Sequence, residues 1–187
     1  VQTCALPIFL RYIFFKFKEY ISEKADCLGS SYQFECYKDK NGEVILISPI
    51  LMPSQNKVQN LLLITLKDNK VIKELESHKD RVFIVRYFQN PYSKKNYLIS
   101  ADRKKIVVVW DLDDFCKIWE KNLPYKSFIY SSLLIFDLNN TYVVTSTLGE
   151  GSTKVFNLED KSNFIDINNT NNFNVYYLDY WYNKKSH

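Results

Sequence analysis

The chain consists of short apolar runs separated by polar turns. The clearest series lies between Leu75 and Leu112, with apolar runs at 82–88, 97–101 and 106–110. Each run is close to the roughly 5–6 residues of a typical strand. The third run, Ile-Val-Val-Val-Trp, does not alternate with polar residues, and a continuous β-branched run indicates burial on both faces. The series therefore predicts three antiparallel strands, the last of them pressed between two sheets.

The same spacing recurs on both sides of this series. Before it, strands are predicted at 32–37, 44–51, 61–66 and 71–75, with a hairpin turn centred on Asn41-Gly42. After it, an outer strand is predicted at 115–120, followed by strands at 128–136, 142–146 and 153–158. A polar linker at 168–174 precedes a further strand-like run at 175–182. The pattern predicts an all-β chain of repeated antiparallel units.

The central unit resembles a WD repeat, a four-stranded propeller blade of about 40–45 residues. The residues that carry the resemblance are His78, Val82, Val85, Pro91, Ser100, Trp110 and Asp111. In this family an acid six residues before the Trp hydrogen-bonds the His, but that place holds Lys104 here. Asp102 lies two positions earlier, and the sequence leaves open whether it substitutes.

The resemblance implies an incomplete β-propeller of about three blades. We expect a degenerate blade at 27–76, the best-matching WD-repeat blade at 77–122, a second recognisable blade at 123–170 and the start of a truncated blade at 171–187. Ile64-Thr65 and Phe156-Asn157 stand where the flanking repeats would have Trp-Asp. Ser146 and Glu150 fall ten and six residues before Phe156, at the family's Ser and acid places.

The front of the chain does not follow this pattern. Residues 1–8, VQTCALPI, lack an initiator Met and look like a translated sequencing adapter, so we interpret them as an artefact and exclude them from the fold. Residues 9–26 are interpreted as an irregular or helical lead-in, because their apolar stretch is shorter than the roughly 20 residues of a membrane helix. Seven blades of the family would need roughly 300 residues, so we expect the chain to be part of a larger gene product.

Four side chains of the central unit are predicted to form a structural polar network: His78, Ser100, Asp102 and Trp110. Each carries a polar group that is costly to bury without a partner. A network that joins the turn to the strands would satisfy all of them. We therefore interpret His78 as a structural residue and not as a catalytic one.

The leading functional hypothesis is a non-catalytic scaffold that docks other proteins or peptides within a multiprotein complex, as the resemblance implies. The candidate surface residues lie in the turns of the central blade: Tyr92, Lys94, Lys95, Arg103, Lys104 and Lys105. The alternative is binding of nucleic acid or an anionic membrane through this basic cluster. The formal net charge of +4 and the pI of about 8.7 do not favour it, because phosphate-binding domains usually have a pI above about 9.

Other functional classes lack a sequence signal. We predict no enzyme, no catalytic residues, no cofactor and no small-molecule substrate, because no nucleophile motif is present and acid pairs such as Asp113-Asp114 are adjacent turn residues. We predict no metal site, because the chain has two His and no paired-cysteine motif. No transmembrane segment is predicted. Cys27, Cys36 and Cys116 do not suggest a disulfide framework, so we expect an intracellular protein of the cytoplasm or nucleus.

Overall fold

We describe the protein from a computed structural model. The described residues are 34–49, 59–147, 152–160, 164–168 and 178–179. The expectations for residues 1–33, including the adapter-like start and the lead-in, lie outside them, as does Glu150.

The described residues form twelve strands in three four-stranded antiparallel sheets, each with its strands in chain order. The first sheet contains β1 (Glu35–Lys38), β2 (Val44–Pro49), β3 (Gln59–Thr65) and β4 (Lys70–His78). The central sheet contains β5 (Val82–Gln89), β6 (Asn96–Asp102), β7 (Ile106–Asp111) and β8 (Cys116–Asn122). The third sheet contains β9 (Ile129–Phe136), β10 (Thr141–Thr147), β11 (Ser152–Asn157) and β12 (Phe164–Asn168).

The central sheet is packed between the other two, as the apolar run 106–110 predicts. All six residues of β7 are buried. Val108 and Trp110 lie in an apolar cluster with the first sheet, whereas Val107 and Val109 lie in a second cluster with the third sheet. Successive side chains of a strand point to opposite faces, so the absence of alternation in β7 reflects burial on both sides.

The three sheets contact one another mainly through their first strands. Strand β5 lies against β1 and β2 on one side and against β9 on the other. Aromatic rings strengthen both interfaces: Tyr37 stacks on Tyr87 with ring centroids 5.3 Å apart, and Tyr97 stacks on Phe136 at 5.6 Å. The fold is therefore a stack of four-stranded antiparallel blades of the propeller type, which confirms the predicted all-β fold class.

Two features of the strands differ from the prediction. His78, predicted to lie in a turn, is the last residue of β4, where the backbone pairs with β3. Strand β12 was not predicted, because its sequence, Phe-Ile-Asp-Ile-Asn, runs into the Asn-rich segment interpreted as a linker. Its two Ile side chains are exposed, which is typical of an outer strand.

Leu178 and Asp179 are the described part of the predicted strand 175–182. The amide of Leu178 donates to Ser131 Oγ on β9 at 3.0 Å, and its carbonyl accepts from Arg86 Nη1 on β5 at 3.0 Å. This stretch therefore lies beside the first strands of the central and third sheets. Among the described residues, no helix is long and apolar enough to cross a membrane.

The loops fall into two sets at opposite ends of the strands. In the described part of the chain, the His78 edge contains the loops 79–81, 103–105 and 123–128. The Asp111 edge contains the described turns 39–43, 66–69, 90–95, 112–115, 137–140 and 158–160. Because each strand runs from one set to the other, residues on different edges of one sheet are separated by the length of a strand.

Candidate functional site

The predicted polar residues of the central unit lie together between the first and central sheets. His78 Nε2 lies 2.7 Å from Ser100 Oγ, and Trp110 Nε1 donates to the same oxygen at 2.9 Å. His78 and Ser100 are fully buried, and Trp110 is 3% exposed. Since His78 ends β4 while Ser100 and Trp110 belong to β6 and β7, the contacts tie two neighbouring sheets together.

Asp102 occupies the position of the acid in this cluster, although it lies two residues from the expected place. Its Oδ2 lies 3.4 Å from His78 Nδ1 and accepts from the Lys79 amide at 3.2 Å. Its Oδ1 accepts from the Ile106 amide at 2.9 Å. The carboxylate therefore closes the β6–β7 turn and faces His78, while Lys104 is exposed in that turn.

These contacts favour one tautomer of His78. The Asp102 carboxylate lies 3.4 Å from Nδ1 without the geometry of a hydrogen bond, and its negative charge favours a proton on that nitrogen. Nε2 then accepts from the Ser100 hydroxyl, whose oxygen still has lone pairs for the Trp110 N–H. Ser100 thus acts as a donor to His78 and as an acceptor for Trp110.

The third sheet contains a variant of this arrangement, which the spacing of the repeat in the sequence does not reveal. In the central sheet, Leu98 pairs with Trp110 and Ser100 with Val108; in the third sheet, Val143 pairs with Phe156 and Thr145 with Lys154. Thr145, and not Ser146, therefore stands at the place of Ser100. The assignment of Ser146 was wrong because the β10–β11 connection is one residue longer than the β6–β7 connection.

Tyr125 takes the place of the histidine in this second arrangement. It lies four residues before the start of β9, as His78 lies four residues before β5. Its hydroxyl donates to the Thr145 carbonyl at 2.9 Å and lies 2.9 Å from Thr145 Oγ1. The equal spacing to the following strand is the sequence signal that identifies Tyr125.

A buried lysine completes the cluster in the third sheet. Lys154, 6% exposed, forms an ion pair with Asp166 on β12, and its Nζ lies 5.2 Å from the ring centroid of Tyr125 and 4.9 Å from that of Phe164. Ser152 Oγ donates to the second carboxylate oxygen at 2.8 Å. The hydrogen bond from Lys154 lowers the pKa of Asp166, and Ser152 adds to the effect. The polar atoms are occupied by one another, which indicates a structural role.

Asp111, the second residue of the Trp-Asp pair, shapes the opposite edge. Its Oδ1 accepts from the amides of Asp113 and Asp114 at 2.9 and 3.3 Å, and its Oδ2 lies 3.3 Å from Lys95 Nζ. This hydrogen bond raises the pKa of Lys95. Asp113 in turn accepts from the Asn96 amide at 3.0 Å and from its side-chain nitrogen at 2.7 Å. These acids hold turns in place, in agreement with their interpretation as turn residues.

The six candidate surface residues do not form one cluster. Tyr92, Lys94 and Lys95 lie on the Asp111 edge, whereas Arg103, Lys104 and Lys105 lie on the His78 edge. Strand β6 separates the two groups by about 20 Å at roughly 3.3 Å per residue.

Three of these six side chains donate hydrogen bonds or form ion pairs within the chain. Lys95 pairs with Asp111, Lys105 Nζ donates to the Tyr125 carbonyl at 2.6 Å, and Lys94 Nζ donates to the Pro91 carbonyl at 2.8 Å. Sequence reasoning also missed two exposed aromatic residues near the His78 edge, Phe128 and Tyr130. Among the described residues, no group of three or more His, Cys, Asp or Glu side chains could hold a metal ion.

Comparison with known proteins gives similarity to solved structures but none to a protein family or to a curated protein. No protein-family model and no curated protein matches the chain. Among solved structures, the chain is similar to the WD40 domain of SCAP from fission yeast, with 9% sequence identity and a TM-score of 0.41. The match covers 73% of this chain and 42% of that domain, so the chain spans less than half of the structure it matches. The fold assignment rests on the sheets themselves.

We predict that Ser100→Ala lowers the free energy of unfolding by about 2–4 kcal/mol. The change leaves two buried groups, His78 Nε2 and Trp110 Nε1, without a partner, and each such group costs about 1–3 kcal/mol. The control is Ser93→Ala in the exposed 90–95 turn, with an expected change within about 0.5 kcal/mol. Denaturant unfolding followed by tryptophan fluorescence measures both. Equal stabilities of the two variants would contradict the network.

We predict that Asp166→Asn destabilises the protein by about 1–3 kcal/mol at neutral pH. The change leaves the buried Lys154 ammonium without its counter-ion, and the cost is below the roughly 3–5 kcal/mol of a fully buried pair because the Asp166 side chain is 32% exposed. Lys154→Met is the control and should be nearly neutral, since an apolar side chain of similar length replaces the buried charge.

The same pair predicts the pH dependence. The pKa of Asp166 is lowered on folding, so its contribution is present above the unfolded pKa of about 3.9 and is lost as the pH falls through the folded value. The stability difference between wild type and Asp166→Asn should be constant from about pH 5 to 8 and should shrink below about pH 4. A difference that grows on acidification would contradict this assignment.

Proposed function

We propose that the chain is a non-catalytic protein-interaction scaffold of the WD-repeat type, which docks partner proteins or peptides on its loop edges. The observation that carries the proposal is the stacking of the sheets. Both faces of the central sheet are buried by its neighbours, so a partner of this sheet can reach only its loop edges and its outer strand. Loops on a rigid scaffold are where binding residues concentrate.

The network around His78 supports a structural role for the residues most suited to catalysis. Ser100, His78 and Asp102 have the residue types of a hydrolase triad. A nucleophile must reach its substrate, yet all three side chains lie in the core, with exposures of 0–1%. The Ser100 oxygen also accepts from Trp110. The Ser100 hydroxyl and the His78 ring, which acyl transfer would require, instead form the hydrogen bond that holds two sheets together.

The positions of the lysines weaken the alternative, binding of nucleic acid or an anionic membrane through one basic cluster. Lys94 and Lys95 lie on one edge of the central sheet, and Lys104 and Lys105 lie on the other. Lys95 is also paired with Asp111. A contiguous row of cations, the usual footprint of phosphate binding, is therefore not formed by these four residues.

The setting we propose is a multiprotein complex in the cytoplasm or nucleus. Cys36 and Cys116 are free thiols in exposed positions, which is compatible with a reducing compartment. Exposed apolar residues on β12, Ile165 and Ile167, give the stack a further apolar surface.

The proposal is tested by amine-specific cross-linking of the full chain in cells that express it, followed by mass spectrometry. Partner cross-links should map to exposed lysines of the loop edges, such as Lys67, Lys94, Lys104 and Lys126. They should be rare at Lys73 and Lys117, which are also exposed but lie on the outer strands β4 and β8.

The distribution of cross-links decides the outcome. Partner proteins linked reproducibly through loop-edge lysines support the scaffold. Cross-links confined to Lys73 and Lys117, or no partner above the level of an unrelated control protein, would contradict it.

A further inference from the structure

The two loop edges carry opposite charge. Among the described residues, the His78 edge has six basic residues and one acid, Asp80, and its basic residues are Lys79, Arg81, Arg103, Lys104, Lys105 and Lys126. The described turns of the Asp111 edge have four lysines and eight acids, and the acids are Asp39, Glu43, Asp68, Asp113, Asp114, Asp137, Glu159 and Asp160. The overall charge of +4 hides this separation. The electric field of this charge separation steers charged partners to one edge.

The His78 edge is a preformed surface. Its three loops are joined by backbone hydrogen bonds: the Arg103 amide donates to the Arg81 carbonyl at 2.9 Å, and the Leu123 amide donates to the Lys105 carbonyl at 3.0 Å. The Asp102 carboxylate closes the turn between them through the Ile106 amide. A surface held in this way loses little conformational entropy when a partner binds.

An exposed aromatic ring lies among these cations. Phe128 is 51% exposed, and the guanidinium carbon of Arg103 lies 5.6 Å from its ring centroid. On another side the ring contacts Phe83, with centroids 6.4 Å apart and planes tilted by 59°. The pair Arg103–Phe128 thus offers a fixed cation beside an apolar surface.

Three exposed cations of this edge are not neutralised by another described residue. Between described residues, the ion pairs join groups elsewhere, and none involves Arg103, Lys104 or Lys126. By contrast, Lys95 and Lys67 of the Asp111 edge each have a carboxylate partner. The charges of Arg103, Lys104 and Lys126 are therefore available to an outside anion.

We infer that the His78 edge is a docking site for an acidic peptide segment that also carries an apolar or aromatic side chain. Its carboxylates pair with Arg103, Lys104 and Lys126, and its apolar side chain packs on Phe128. Arg103 is the central contact, since its planar guanidinium can donate two parallel hydrogen bonds to one carboxylate. This inference rests on the proposed scaffold function and names the partner chemistry for one edge.

The geometry favours a peptide over single-stranded nucleic acid. Binding of single strands uses several aromatic rings on which successive bases stack, but the three described loops of this edge contain one exposed ring, Phe128. A long polyanion would also meet the acids of the Asp111 edge if it ran along the sheets. A short segment with a few carboxylates fits a compact group of cations.

The test is fluorescence anisotropy of the full chain with a labelled short peptide of Glu and Phe residues at physiological salt. We expect a Kd in the roughly micromolar range, which weakens as salt rises. Replacing Glu by Gln in the peptide should weaken binding at least about tenfold. The triple variant R103A/K104A/K126A should weaken binding of the original peptide at least about tenfold.

The matched control removes the same charge from the other edge. K40A/K67A/K94A should change the Kd by less than about twofold. Because the loss of Arg103 could alter the turn, the single change Lys104→Glu at an exposed side chain is a second variant, and it should weaken binding about threefold or more. Phe128→Ala should weaken the Glu-Phe peptide but leave a peptide of Glu alone unchanged.

Each other outcome overturns the inference. No binding by the wild-type chain, equal loss in the two triple variants, or tighter binding of oligothymidine than of the peptide would each contradict it. Concentration-dependent light scattering that is abolished by R103A/K104A/K126A but not by K40A/K67A/K94A, which makes the Asp111 edge more acidic, would instead identify the Asp111 edge of a second copy as the occupant. Loop-edge cross-links to partners in cells would still support the scaffold, so failure of this inference is distinguishable from failure of the proposed function.

Discussion

Strand β7 is buried on both faces, and this constraint organises the rest of the structure. Val108 and Trp110 face the first sheet while Val107 and Val109 face the third. If one face of such a strand were open to water, the exposure would cost about 25 cal/mol of free energy per Å² of apolar surface. Sheets must therefore lie on both sides of the central sheet, and the loops at its two edges become its main accessible surface.

Polar contacts fix how neighbouring sheets sit on one another, because apolar burial by itself is non-directional. His78, at the end of β4, reaches Ser100 in the next sheet. Tyr125, at the matching distance before β9, reaches Thr145 in the sheet after that. The residue types differ, but each contact connects the end of one sheet to the second strand of the next. Because His78 and Tyr125 are buried, the exposed residues of the loop edges can vary in charge.

The sequence predicts strands well where hydrophobic runs are long, and less well where function depends on tertiary proximity. The run 106–110 predicts β7 almost to the residue because burial on both faces removes alternation. Strand β12 was missed because Asp166 and its Asn neighbours resemble a linker. Lys94 and Lys104 look like one cluster in the sequence, yet β6 places them on opposite edges. The role of Tyr125 emerges only from the strand register, which shows which residues stand at equivalent places.

Strand β7 is hydrogen-bonded on both sides and buried on both faces, and amide hydrogen exchange of the full chain tests this arrangement most directly. Amides with both neighbours in the ladder and no solvent on either face exchange only through large-scale opening. We expect the amides of Val107, Val108 and Val109 to exchange among the slowest in the chain, and far more slowly than those of the outer strands β4 and β8. Exchange of these three amides at the rate of the outer strands would contradict it.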